Sequence, residues 1–454
     1  MNRRMMKVTV LIVAGLGAAY AGAQQPTAEA SSYRGWPSQR MANNLVEIQV
    51  VPSIGGRVMA YGLGTENVLW VNPGLAGKAP PASGVGPAGE WLNYGGDKLW
   101  PAPQGWDNAE QWPGPPDAIL DGGPYALEHL SRGGCVAALR LTSGEDRRSG
   151  IQLSRVIRLH EDSTRVSFDA TMKNCDNKPR RWGIWAHTQL DGGREGGGHN
   201  PEMRAYCPLN PKSHFTKGYD VIFGDERNPS FQADPKRGLM VVEYQYKVGK
   251  IGLDSPAGWV ATVNGLTGKV FVQCFTFEKQ KPYPEGSSVE FWLNGLGSFK
   301  AWGKENVMPD DPEKNPFVFE SEMLGPLTTL QPGESVSWTY DWFATSIGAG
   351  RHEVLDCTEA GVVSVPLSAT PAGGRLRLTG RFGVFAPGQL VADALDGRGA
   401  RLSRRVLLKR VSPLEPLVLD QTVVLPKETA CVVLLVQGED GHNARPLHQV
   451  KLPN

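Results

Sequence analysis

Short runs of alternating apolar and polar residues, each closed by glycine or proline, recur along this chain and leave it few ways to fold. Residues 152–159, Gln152-Leu153-Ser154-Arg155-Val156-Ile157-Arg158-Leu159, alternate with period 2, and so do residues 165–170. Residues 45–51 alternate or run apolar and stop at Pro52. Such alternation belongs to antiparallel sheets with one buried and one wet face. Further strands are predicted over 239–245, 259–263, 269–277, 288–293, 317–323 and 335–343. Few stretches keep a 3.6-residue period for three turns. Glycine (55) and proline (35) make up about a fifth of the chain, against about 12% on average, and they are spread evenly. They therefore read as turns between many short strands, in a large sandwich or barrel.

The N-terminus reads differently. Arg3, Arg4 and Lys7 precede an apolar run, Val8 to Ala19, and then Ala21-Gly22-Ala23. A basic start, a short apolar stretch and a small-residue site predict a cleavable export signal over residues 1–23. The run is too short to span a bilayer, which needs roughly 20 apolar residues. The mature protein is therefore expected in the periplasm or outside the cell, without a transmembrane segment. Cleavage removes three bases and no acid, moving the formal charge from +1 to −2. With no basic patch, nucleic acid is not an expected partner. The six cysteines are widely spaced, without a C-x-x-C pair, so zinc is not indicated. Several lie in apolar strand-like runs and read as buried free thiols.

A boundary is predicted near residues 345–350, Thr345-Ser346-Ile347-Gly348-Ala349-Gly350. All 13 tryptophans precede it. The segments beyond it suffice for a small β-sandwich of about 100 residues. This gives a large β domain over 24–347 and a second β domain over 348–454. The second domain, with His442 and His448 near its end, shows no catalytic constellation and is expected to be structural or a docking module. Its stretch Arg398-Gly399-Ala400-Arg401-Leu402-Ser403-Arg404-Arg405 reads either as the charged guard of an edge strand or as a contact for an acidic envelope partner.

Three clusters carry candidate chemistry. The first runs Trp91-Leu92-Asn93-Tyr94-Gly95-Gly96-Asp97-Lys98-Leu99-Trp100-Pro101-Ala102-Pro103-Gln104-Gly105-Trp106. Its glycines and prolines predict loop rather than helix or central strand. Sugars need flat aromatic faces for their C–H surfaces and planar polar groups for paired hydroxyls. Trp91, Trp100 and Trp106 offer the first; Asn93, Asp97, Lys98 and Gln104 offer the second. The alternative is a loop packed down by its own tryptophans. In the second cluster, Trp185, His187 and Gln189 share one face of a strand by period 2. Reading His187, Asp191, Glu195 and His199 as metal ligands finds no supporting spacing, so no metal is expected. In the third, Glu320 and Glu322 alternate with apolar residues and share a face.

In this order the clusters resemble the galactose-mutarotase (aldose 1-epimerase) superfamily and, within it, the DUF4380 family, from about Asn44 to Ile347. Pro52-Ser53-Ile54-Gly55-Gly56-Arg57, Asn93 to Gln104, Trp185 to Gln189, Glu320-Ser321-Glu322 and Leu324-Gly325-Pro326 carry the resemblance. It implies an antiparallel β-supersandwich with a saccharide in a cleft on one face, and no organic cofactor. It also implies that His187 is the acid and that Glu320 or Glu322 is the base of anomer interconversion, facing each other across one pyranose ring. General acid–base help of this kind is typically worth about 10²–10⁴-fold. The chain departs from those enzymes in lacking a second nearby histidine, which leaves a non-catalytic carbohydrate-binding or scaffold protein as the alternative.

Overall fold

In the computed structural model, residues 25–453 are described, except 82, 106, 107, 109, 302, 439, 440 and 442. The expected export signal, Trp106 and His442 therefore lie outside the described residues. Strands make up almost all the regular structure, with two single-turn 3₁₀ segments, Pro73–Leu75 and Pro284–Gly286. Among the described residues no helix is long and apolar enough to cross a membrane.

Two large antiparallel sheets face each other. The first runs Thr27–Tyr33, Trp36–Ala42, Val46–Val51, Arg57–Leu63, Asp97–Ala102, Arg180–Asp191, Val318–Leu324, Val289–Leu293, Gly249–Leu253 and Asp220–Gly224, with two short strands off this path. The second has ten strands, with Lys269–Phe275, Ser335–Ser346, Val166–Asn174 and Ile151–His160 at its centre. The alternation in Ile151–His160 and Val166–Asn174 translates directly into one buried and one wetter face. Their inward residues, such as Ile157 and Phe168, together with Trp342 of Ser335–Ser346, meet those of the first sheet in one continuous core. Burying each large apolar side chain contributes roughly 1.5–3 kcal/mol.

One expectation is corrected here. Asp97–Ala102 is a strand in the middle of the first sheet, not a loop, even though it contains Pro101. On one side it pairs fully with Arg180–Asp191, from Thr188↔Asp97 to Gly183↔Ala102. On the other it meets Arg57–Leu63 at Asp97 alone. Beyond that point the strand has one neighbour, so the missing N–H of Pro101 costs no ladder bond. The turn that feeds it needs its glycines. Gly95 and Gly96 have φ of +89° and +71°, and a Cβ on them would sit 2.3 Å from the Trp70 carbonyl oxygen and 2.4 Å from that of Val58.

Residues from Asp356 to Lys451 form two four-stranded sheets around their own core, which includes Leu378, Phe382, Leu390 and Leu434. A further apolar layer joins them to the outer face of the ten-stranded sheet. Trp259, Val270, Val272 and Phe343 there pack with Val354, Val362 and Phe385, and the Phe343 and Phe385 rings stack at 4.4 Å. The strand Arg401–Val411 lies at the edge of its sheet, with Arg404 paired to Asp393 through two hydrogen bonds. All six cysteines are free thiols.

Candidate functional site

The strands Asp97–Ala102, Arg180–Asp191, Val318–Leu324, Val289–Leu293 and Gly249–Leu253 lie side by side. Their registers set Lys98 opposite His187, His187 opposite Glu322, and Glu322 opposite Glu290. One step along, Gln189 lies opposite Glu320, Glu320 opposite Trp292, and Trp292 opposite Lys250. One step the other way, Trp100 lies opposite Trp185. Period 2 puts all of these on the outer face of the sheet. That face is the floor of a cavity of about 1090 Å³. Trp70, Asn72, Trp91 and Asn93 wall it on one side. Phe223, Phe317 and the hairpin Gly297–Ala301/Lys304–Met308, through Phe299 and Met308, wall it on the other.

Of the residues singled out from the sequence, His187, Glu320, Trp91, Asn93, Trp100, Gln104, Trp185, Gln189 and Asp191 line this cavity. Glu320, not Glu322, faces it. Gln189 Nε2 donates to Glu320 Oε1 at 2.6 Å, and His187 Nε2 lies 3.3 Å from Glu320 Oε2. Glu322 is fully buried beneath the floor. Its Oε2 accepts from Trp185 Nε1 at 2.8 Å and from Lys250 Nζ at 3.1 Å. Lys250 also meets Glu290 Oε2 at 2.7 Å and lies over the Trp185 ring at 4.5 Å. The expected arrangement of acid and base on either side of a pyranose is not found. His187 and Glu320 touch, because they sit on adjacent strands two residues out of register and so on the same face.

Lys98 and Asp97 do not line the cavity. Lys98 is fully buried under the floor, with Nζ 4.8 Å from the Trp100 ring centroid and 5.6 Å from that of Trp91. Asp97, one residue away, points to the opposite face and into the sandwich. Its carboxylate pairs with Arg155 and accepts from Thr188 Oγ1 at 2.8 Å. As a sugar contact Asp97 is therefore withdrawn: neighbouring residues of a strand cannot both face the same cavity.

Burial governs the charges. It pushes the Glu320 carboxyl up, against the pull of the Lys98 ammonium. It pushes His187 well down, with Lys98 adding to the effect, so the imidazole is neutral at pH 7. Burial, followed by the Arg57 charge, lowers Lys98 to about 7. Burial also opposes the charge of Lys250, but the Glu290 and Glu322 carboxylates outweigh it and hold the ammonium protonated.

Reading the sequence missed three groups. Lys250 stands alone in the apolar strand Gly249–Leu253, and Trp292 lies two residues after Glu290 in Val289–Leu293. Asp121 orients the aromatic floor. It accepts from Trp91 Nε1 at 2.7 Å, from Trp100 Nε1 at 3.1 Å and from Arg57 Nη2 at 2.6 Å. The rings are thus fixed before any ligand arrives. His187, Glu320 and Glu322 also lie close enough for three of their ligand atoms to fall within 4.8 Å. The Lys250 ammonium already occupies Glu322 Oε2, which disfavours a second cation there.

A search of the curated proteins finds no match. Among solved structures, a galactose mutarotase-like protein from Lactobacillus casei is similar at 10% identity and a TM-score of 0.44, covering 68% of this chain and 99% of that one. A galactose mutarotase-like protein from Clostridium acetobutylicum gives 10% identity and 0.40, over 71% and 99%. A TPR-domain containing protein from Parabacteroides distasonis gives 12% and 0.42 over 68% of this chain, which spans about half (47%) of that one. The DUF4380 family model, a domain of unknown function, matches residues 38–345. That span is two thirds of the chain and holds every strand of the cavity floor, and the protein belongs to the DUF4380 family.

Proposed function

We propose that the cavity binds a saccharide of more than one ring. The observation that carries this reading is the floor itself: Trp100, Trp185 and Trp292 present aromatic surfaces beside the coupled amide and carboxylate of Gln189 and Glu320. Sugar C–H faces stack on the rings, and a planar acceptor–donor pair suits adjacent hydroxyls. A volume of about 1090 Å³ stands at the upper end of ordinary ligand pockets, about 300–1,000 Å³, and exceeds the needs of one pyranose. Titration of intrinsic tryptophan fluorescence with mono- and oligosaccharides, neutral and uronic, tests this. Oligosaccharides should give saturable changes that Glu320→Gln and Trp185→Ala weaken at least tenfold. Folded protein that responds to none of them sinks the reading.

A second reading is favoured by the 3.3 Å contact of His187 with Glu320. The anomeric hydroxyl and the ring oxygen of a sugar are bonded to one carbon. An adjacent acid and base on one side could therefore serve both, and the ring would not have to lie between them. Anomer exchange measured by saturation-transfer NMR, lost in Glu320→Gln with binding retained by His187→Gln, would support it. Exchange at the uncatalysed rate leaves binding alone. Export, inferred from the basic, apolar and small-residue order of residues 1–23, is checked by sequencing the N-terminus of the mature protein.

A further inference from the structure

The ten-stranded sheet alternates strictly where it meets the second domain. In Lys269–Phe275, Phe271, Gln273 and Phe275 point into the sandwich. Gln273 Nε2, for example, donates to Thr188 Oγ1 at 3.1 Å. Val270, Val272 and Cys274 therefore lie on the outer face, and the two valines join the apolar layer shared with the second domain. From that domain, the short strand Asp356–Cys357 places Cys357 directly opposite Val362, a member of the same layer. Two independent registers thus deliver Cys274 and Cys357 to one interdomain layer. Both side chains pack against it, and the neighbouring Cys274 thiol, followed by burial, pushes the Cys357 thiol well up.

The remaining cysteines have no such neighbour. Cys207 lies on the inward face of its strand, in the main core. Cys135 is exposed before Val136–Thr142, Cys175 follows Val166–Asn174, and Cys431 begins a strand of the other four-stranded sheet.

We propose that Cys274 and Cys357 form a disulfide that fastens the second domain to the outer face of the ten-stranded sheet. A disulfide reagent such as oxidised glutathione supplies the oxidising equivalents. One cysteine thiolate attacks it, forming a mixed disulfide and releasing one glutathione thiolate. The second cysteine thiolate then attacks the protein sulfur of that mixed disulfide and expels the other glutathione. Two electrons pass from the cysteines to the reagent, and the two thiol protons end on the two glutathiones. Both cysteines are half-buried in the folded chain, and the reagent reaches them as the chain refolds.

The test is refolding of the full chain in a glutathione redox buffer, followed by acid quenching, thiol counting in denaturant and non-reduced peptide mapping. Four thiols are expected instead of six, with the peptides carrying Cys274 and Cys357 linked. Cys274→Ser and Cys357→Ser should each show five thiols and lose the linked species. The oxidised wild-type chain should unfold several degrees higher than the reduced one, and neither serine variant should show that difference. Six free thiols, glutathione carried separately on the two cysteines, or a link between any other pair would overturn the proposal.

Discussion

Lys98 is fully buried, and no hydrogen-bond acceptor among the described residues reaches its Nζ. Its pKa falls from the ordinary 10.5 to about 7. Below pH 7 the lysine is protonated in both folded and unfolded chains. Between about pH 7 and 10.5 the unfolded chain holds a proton that the folded one has released. Stability attributable to Lys98 therefore rises with pH through that window, by up to about 1.4 kcal/mol per unit. Lys98→Met should remove this slope and raise stability near neutrality, where the wild type bears the cost of the buried charge. Urea unfolding of both proteins at pH 6.5, 8 and 9.5 checks it; parallel curves would refute it. The same residue shows what alternation hides. A sequence places Lys98 on the face of Trp100, but not the depth at which the cavity ends. Asp97, Lys98 and Gln104 look alike in the sequence, yet one serves the sandwich interior, one the layer under the floor and one the cavity.

The strands of the site are held from behind. Asp97, Thr188 and Ser321 are the inward neighbours of Lys98, His187 and Glu320 or Glu322. Each ties to the opposite sheet: Asp97 to Arg155, and Thr188 and Ser321 to Gln273. Arg155 and Asp97 are both almost wholly excluded from water. Removing one member of such a pair leaves the other charge buried and costs about 3–5 kcal/mol. Arg155→Met should lower unfolding stability by that amount, and circular dichroism against urea measures it; a loss below about 1 kcal/mol would refute the role. At this scale most strands could be read from alternation, including Ile151–His160 and Val166–Asn174, where one wet face keeps the pattern clean. Arg180–Asp191 is buried along nearly its whole length, so polar residues there mark a site and an interior tie at once. Asp97–Ala102 was obscured by Pro101, whose tolerance depends on a neighbouring strand that diverges after Asp97. Lys250, Trp292 and Asp121 join the site only through pairings of distant strands or a returning loop, which no local pattern encodes.

Among the described residues none beyond Glu320 lines the cavity, yet the two domains share an apolar layer. A chain ending at Ala349 would leave Trp259, Val272 and Phe343 facing water. It should unfold several degrees lower and aggregate more readily, while its folded fraction keeps the full chain's saccharide affinity. Scanning calorimetry with a parallel binding titration separates the two effects. An unchanged midpoint would show that the shared layer contributes nothing. The polar ties behind the floor have one more consequence, for how such a protein can change. A substitution at Asp97, Thr188 or Ser321, just behind the floor, is felt by both sheets. The rim is under no such obligation: Asn72, Asn93 and the Phe299–Met308 hairpin hang from turns and a two-stranded ribbon. Descendants of this chain are free to exchange rims while inheriting one floor, and a grafted hairpin should carry its ligand preference with it.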